Sequence, residues 1–300
     1  MTRRAAVFGC SGQLGVELVR ELKARDYEVS GWERAAVDIS DGEKVERVLA
    51  AADPKIVFNA AAYNQVDIAE KEPQAAYVAN AMGVRNLALA CRQIDAQLIH
   101  YSTDYVFDGT KTTPYVEEDA TGPRNVYGAS KLAGEQGIAE AGGAFIILRT
   151  SWVYSNDGAN FLKTMLRLRT ERPELRIVAD QHGAPTSADS IATATVRILT
   201  DVGAGKKWTS GVYHMTAGGA TSWYGFAKAI FARAGAPTPS LVPIETAEYP
   251  TPAARPANSV LSNEKFAAHF GFRLPEWEQQ LDAVMAARAA ANEPEIHAGT

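Results

Sequence analysis

The sequence predicts an α/β protein, a Rossmann-type doubly wound parallel sheet with a smaller C-terminal lobe. Two observations carry that prediction. Short apolar runs alternate with stretches of helical periodicity through the first half of the chain, and such alternation builds parallel sheets covered by helices on both faces. A glycine-rich turn, Gly9-Cys10-Ser11-Gly12-Gln13-Leu14-Gly15, joins the first strand to the first helix. Sheets of this kind take anionic groups at that place.

Residues 5–10 form a short apolar run closing on the glycine turn and read as a buried strand. Leu14, Leu18 and Leu22 then recur at helical spacing. A strand follows at 28–32, a helix at 43–51 capped by Ser40 or Asp41, and a strand at 55–59. Residues 73–91 read as a long helix with Pro73 in its first turn. Strands at 97–101 and 145–148 flank a helix at 126–141. Beyond Arg149 the pattern loosens into a helix at 160–169, a strand at 176–179, a helix at 187–199 and a strand at 212–215. From Ala217 onward prolines 237, 239, 243, 250, 252 and 256 separate short helices. Phe226, Phe231, Phe266, Phe270 and Trp277 demand burial there, which marks a small irregular lobe rather than a linker. The polar tail after Ala291 reads as a frayed end.

A chain of 300 residues holds one large domain or two of about 150. Thirty basic against 35 acidic residues give a net charge of −5 with no basic block, which argues against general nucleic-acid binding. No run approaches the roughly 18 apolar residues of a membrane span. The opening MTRRAAVFGCSG lacks the long apolar stretch of a secretory signal, so the expected location is the cytoplasm. Two cysteines, Cys10 and Cys91, rule out a disulfide scaffold. Cys10 has no neighbouring histidine to activate it as a nucleophile.

The glycine turn, spaced GxxGxxG rather than GxGxxG, reads by its strand–turn–helix context as a dinucleotide site, where glycines let backbone approach a pyrophosphate and the helix N-terminus offers free N–H groups; a plain strand–helix turn is the alternative. At the end of the second strand stand Glu33 and Arg34. An acid there accepts from the ribose of NAD, while an arginine meets the 2′-phosphate of NADP, so NADH and NADPH both remain open. Asp38 faces either the adenine edge or the next helix cap. Tyr127 and Lys131 lie four apart on one helical face. An ammonium beside the phenol is expected to lower its pKa from about 10 and suit it to acid catalysis. Ser102, Thr103 and Asp104 follow a strand end, where α/β sheets bind ligands; a loop capping itself is the bland alternative. His100 and His214 sit in predicted strands and read as packed side chains rather than metal ligands. His182 lies by a loop that could reach substrate.

Further segments extend the pattern: FGCSGQLG from Phe8, NAAAYNQVDIAE from Asn59, YSTDYVFDG from Tyr101, YGASKLAGE from Tyr127, RTSWVY from Arg149, DQHGAPT from Asp180, and RPANSVLSNEKF from Arg255 followed by LPEWE. With these the chain resembles the extended short-chain dehydrogenase/reductase family, in its dTDP-sugar reductase branch. The resemblance implies NAD(P)H-dependent reduction of the 4-keto group of dTDP-4-dehydro-L-rhamnose, with Tyr127 as proton donor beside Thr103 and Lys131. It implies a cofactor site formed by the glycine turn (Gly9, Ser11, Gly12, Gln13, Leu14, Gly15), Glu33, Arg34, Asp38, Ile39, Ala61, Ala62, Tyr63, Asn64, Tyr101, Tyr127 and Lys131. Thr103, Asp104 and Trp152 would contact the sugar nucleotide, and Arg255 its diphosphate. The expected partition is 1–150 with 176–216 for the dinucleotide, and 151–175 with 217–300 for the sugar nucleotide. Tyr63-Asn64 departs from the branch, which often has His-Thr. Some members form a homodimer through Mg2+; Asp189 stands where a ligand, usually Glu, is found, and the second ligand has no counterpart placed. The rival expectations are a sugar-nucleotide epimerase or dehydratase that retains NAD+, and a non-catalytic regulatory subunit. Thr103 is followed by Asp104-Tyr105 rather than the Asp-Glu pair of a dehydratase, and intact Thr103, Tyr127 and Lys131 speak against the subunit.

Overall fold

The computed structural model of the chain describes residues 3–203 and 208–292. In chain order the elements are β1 (Arg3–Phe8), α1 (Gln13–Lys23), β2 (Tyr27–Trp32), α2 (Gly42–Ala52), β3 (Ile56–Asn59), α3 (Val66–Ala69), α4 (Pro73–Tyr77), α5 (Gly83–Gln93), β4 (Gln97–Thr103), α6 (Val126–Ala141) and β5 (Phe145–Thr150). There follow β6 (Val153–Tyr154), α7 (Phe161–Glu171), β7 (Glu174–Val178), β8 (His182–Gly183), β9 (Thr186–Ser187), α8 (Ala188–Gly203), β10 (Gly211–His214), β11 (Thr221–Ser222), α9 (Trp223–Ala234), β12 (Ser240–Ile244), α10 (Glu264–Phe270) and α11 (Trp277–Asn292). The long helix expected at 73–91 is present, but a π-helical turn, Val78–Met82, joins α4 to α5.

Six strands make one parallel sheet in the order β10-β5-β4-β3-β1-β2. The chain leaves β1 for β2 on one side and resumes with β3 on the other, so a crevice opens at the carboxyl ends of β1 and β3. Alternation along each strand sends side chains to opposite faces. Val7, Phe58, Ile99 and Leu148 pack with Leu18 and Leu22 of α1 and Ile191 and Val196 of α8. Phe8, Val57, Leu98 and Ile147 pack with Val45 and Leu49 of α2, Leu87 of α5 and Ile138 of α6. The predicted doubly wound sheet is therefore realised.

A third cluster builds the smaller lobe from Tyr154, Leu162, Phe226, Phe231, Trp277 and Leu281. Three two-stranded pairs trim it: β6 with β9, β7 with β12, and β8 with β11. The strand read near residues 176–179 thus lies beside β12, apart from the main sheet. Phe266 and Phe270, which sequence reading assigned to the small lobe, belong to the main core. They sit on α10, which covers the edge strand β10, and the Phe270 ring lies 5.0 Å from that of Tyr213. Most of the polar tail, residues 293–300, lies outside the described residues. Among the described residues no helix is long and apolar enough to cross a membrane.

One buried ion pair ties the sheet to α6. Arg149 on β5 donates from Nη2 to Glu135 Oε2 at 2.7 Å and from Nε to Oε1 at 3.0 Å, and both side chains are 5% exposed. Ser102 on β4 also donates to Glu135 Oε1. Removing one partner strands a charge in low dielectric. Arg149→Met is expected to lower unfolding stability by about 3–5 kcal/mol in urea titration, and the double variant Glu135→Leu/Arg149→Met to recover most of that loss.

Candidate active site

The cofactor end of the crevice is built from backbone. Gly9 follows β1 at φ +76°, and a Cβ there would stand 2.6 Å from the Ala61 nitrogen, so only glycine lets the turn meet the end of β3. Gly12 caps α1 with no side-chain hydrogen bond, and the first turn of α1 contains no acid. Its N–H groups therefore lack intrahelical partners and carry the positive end of the helix dipole. Gly12, Gln13 and Leu14 line the cavity in front of them. The donor set fits a dinucleotide diphosphate.

The reacting end lies where β4 stops. Thr103 accepts from the Tyr105 N–H at 3.1 Å and donates to Asp104 Oδ1 at 2.9 Å. Asp104 is buried, its Oδ2 has no hydrogen-bond partner, and burial pushes its carboxyl up to about 6 against the pull of the Ser259 and Thr103 hydroxyls. Helix α6 begins just beyond. Asn125 caps it by accepting from the Gly128 N–H at 2.8 Å, and Glu70 accepts from the Val126 N–H at 2.8 Å. Tyr127 enters the cavity from the first turn, its ring edge-on to Tyr105 at 6.0 Å.

The expected lowering of the Tyr127 pKa is not what this geometry produces. Burial raises the phenol above its usual range; a hydrogen bond with Thr103 pulls it down, and the Asp104 charge adds to the rise. Lys131 is engaged one turn deeper. Its Nζ donates to the Tyr101 carbonyl at 2.6 Å and lies 3.5 Å from His100 Nε2. Burial lowers its pKa to about 8, with Glu135 opposing. Asn59 Oδ1 accepts from the Ala61 N–H at 3.1 Å, which leaves Asn59 Nδ2 to donate to His100 Nδ1 at 3.0 Å. The neutral imidazole then carries its proton on Nε2, facing the lysine. His214 is equally buried, near the Tyr115 carbonyl.

The cavity measures about 450 Å³, in the range of small-molecule sites. Of the residues expected from sequence it gathers Gly12, Gln13, Leu14, Ala61, Ala62, Asn64, Tyr101, Thr103, Asp104, Tyr127, Lys131, Trp152 and Arg255. Gly9, Ser11 and Gly15 belong to the turn without lining it. Glu33 and Arg34 are exposed at the end of β2, and Arg34 Nε donates to Asp38 Oδ2 at 3.1 Å. Asp38 also accepts from the Ser40 N–H and hydroxyl, which hold its carboxyl below the usual range against burial. Ile39 is packed into the core. Tyr63 turns its phenol to Glu72, while its backbone is clasped by Asn80. Arg255 donates to Asp67 Oδ2 at 2.9 Å, so an incoming anion must share that guanidinium.

Asp189 is elsewhere. Its carboxylate pairs with Arg20, which also holds Glu17 at 2.6 Å. Among the described residues no cluster of three or more His, Cys, Asp or Glu could hold a metal ion. Arg20 thus holds the Asp189 and Glu17 carboxylates together.

Sequence reading missed Asn59, Asn80 and Trp223. Asn59 ends β3, and the strand-edge rule that selected Ser102–Asp104 would have found it. Asn80 sits on the π turn, a feature frequent at functional sites, but its spacing carries no sign of one. Trp223 reads only as an apolar residue.

A family model described as the RmlD substrate binding domain matches residues 3–289. The chain belongs to this family. It is 50% identical over 281 residues to a dTDP-4-dehydrorhamnose reductase of Burkholderia thailandensis, covering 90% of this chain and 94% of the relative. It is 43% identical to the protein of that name from Escherichia coli strain K12, covering 91% and 93%. A crystal structure of dTDP-4-dehydrorhamnose reductase from Bacillus anthracis in complex with NADP superposes with a TM-score of 0.90 at 37% identity, covering 96% and 100%. The family resemblance read from the motifs is thus correct.

With its pKa near 8, Lys131 keeps its charge below that value and loses it as pH rises through it. An ammonium in this cleft attracts anionic ligands. The free-protein profile kcat/KM for the site's substrate is expected to fall roughly tenfold per pH unit above about 8. A profile flat to pH 10 would contradict this assignment.

Proposed function

We propose that the protein catalyses NAD(P)H-dependent reduction of dTDP-4-dehydro-L-rhamnose to dTDP-L-rhamnose. The observation that carries this reading is the convergence of Thr103, Tyr127 and Lys131 on one cavity, beside an uncapped helix N-terminus suited to a diphosphate. Relatives named for the same reaction match nearly the whole chain.

NAD(P)H, when bound, supplies the hydride for the sugar's C4 carbonyl carbon. The glycine turn and the N-terminus of α1 hold the cofactor diphosphate, and Arg34 or Glu33 meets its adenosine ribose. Tyr127 gives its phenolic proton to the carbonyl oxygen, balancing the hydride. Thr103, whose hydroxyl here donates to Asp104, turns that donor to the same oxygen, where negative charge develops. Lys131 supplies positive charge below Tyr127 and a donor for the nicotinamide ribose. The unpartnered Asp104 Oδ2 accepts from a sugar hydroxyl. Trp152 forms an apolar wall, and Arg255 shares its guanidinium between Asp67 and the substrate diphosphate. These residues all come from a single chain.

Tyr127→Phe is expected to lower kcat at least about 100-fold, the share of a general acid, without changing the fold by circular dichroism. Near-normal turnover by that variant would sink the reading. Arg34 is exposed and free to leave Asp38. Arg34→Ala is expected to raise KM for NADPH about tenfold, one charged hydrogen bond, while KM for NADH holds; steady-state kinetics with each cofactor decides it.

A further inference from the structure

Trp152 follows β5 with a backbone φ of +49°. Bulky residues rarely adopt that conformation, and it persists only where surroundings enforce it. Two neighbours hold its side chain. The Trp223 ring stacks on the Trp152 ring with centroids 3.6 Å apart and planes 6° from parallel. The backbone at Gly183 presses on the same indole, where a Cβ would stand 2.5 Å from its Cε2. The two neighbours are built as one unit, because β8 pairs with β11 and sets Gly183 opposite Thr221, two residues before Trp223. Ser222 caps α9 by accepting from the Gly225 N–H at 3.1 Å, so the backbone carrying Trp223 is fixed. Behind it Phe161 lies 4.7 Å away, and Phe161 stacks on the fully buried Phe226. A ladder of rings thus runs from the core of the smaller lobe to the cavity, which Trp152 and Trp223 both line.

We propose that Trp223 is a positioning residue for the sugar: by stacking on Trp152 it fixes the apolar wall that decides which face of the C4 carbonyl is presented for reduction. This rests on the reductase reading above. The acid, Tyr127, comes from the start of α6, and the hydride comes from the cofactor side. The orientation of the sugar therefore decides which C4 epimer forms. A 6-deoxy sugar offers a methyl group and C–H edges, and a rigid aromatic wall accepts those and refuses hydroxyl groups that would lose their hydrogen bonds. If the wall tilts, the ring seats in more than one way.

The test uses the full chain with NADPH and dTDP-4-dehydro-L-rhamnose, with products resolved by proton NMR. For Trp223→Ala the expected result is a KM for the sugar nucleotide raised at least about tenfold with KM for NADPH unchanged, and a second C4 epimer among the products. The near-ultraviolet dichroism of the stacked indoles should vanish with it. Trp223→Leu keeps bulk without a ring and should behave likewise, whereas Trp223→Phe should retain a single product. A Trp223→Ala protein that has lost the stacking signal, yet makes one epimer with sugar KM within about twofold of the parent, overturns the inference. An unsubstituted chain that fails to reduce the 4-keto sugar overturns the reductase reading, and this inference with it, before any variant is made.

Discussion

The arrangement of the site depends on one buried charge. Tyr127, Lys131 and Glu135 follow one another at four-residue steps and share a face of α6. Glu135, at the inner end, cannot shift without leaving the Arg149 guanidinium and the Ser102 hydroxyl. It therefore sets the register of α6 against β4 and β5, and with it the height of Lys131 over the Tyr101 carbonyl and of Tyr127 beside Thr103. The same arginine lies 5.1 Å over the Phe107 ring, against which Tyr115 stacks and His214 stands edge-on. Glu117 accepts from the His214 N–H at 2.7 Å. The segment between β4 and α6, which holds Asp104, is anchored by this network.

One of the links between the two lobes runs through the glycine turn. Gln13, the first residue of α1, accepts through Oε1 from Asn160 Nδ2 at 2.8 Å and from the Ser155 hydroxyl at 3.3 Å. Asn160 caps α7 by accepting from the Lys163 N–H at 3.0 Å. A residue that lines the cavity thus also holds the entry to a helix of the smaller lobe. Arg255 to Asp67 and Asn125 to the Ala254 carbonyl add further links, so the lobes are held together at both ends of the cavity.

Much of this was legible before the structure. The helices at 43–51 and 126–141 and the strands at 28–32 and 55–59 appear where apolar spacing placed them, to within a residue or two, because burial of one face imposes a period. Thr103, Tyr127 and Lys131 were legible for a related reason: strand ends and i,i+4 spacing are geometric facts that survive folding. The two-residue strands β6, β8, β9 and β11 were not, since two residues carry no period. Phe266 and Phe270 announced burial but not its location, which depends on α10 reaching back to the edge of the main sheet. The Trp152–Trp223 stack was invisible for the same reason, being a contact between residues 71 positions apart.

The protonation of the site was the least legible property, because burial sets it. Proximity in sequence suggested that Lys131 stabilises a Tyr127 phenolate, yet desolvation pushes both groups toward their neutral forms. That direction suits reduction. In the proposed reduction the acid must hold its proton until the carbonyl oxygen takes up charge, and the raised phenol pKa of Tyr127 would keep it there. The His100 tautomer reinforces the effect at the lysine, since an N–H rather than a lone pair faces the ammonium and makes its charge costlier to hold. An anionic cofactor works against both influences, because a nearby negative charge favours the ammonium. A lysine that titrates near 8 is still largely charged at neutral pH, so positive charge stands beneath Tyr127 before any ligand arrives, and a bound anion would hold it there to higher pH.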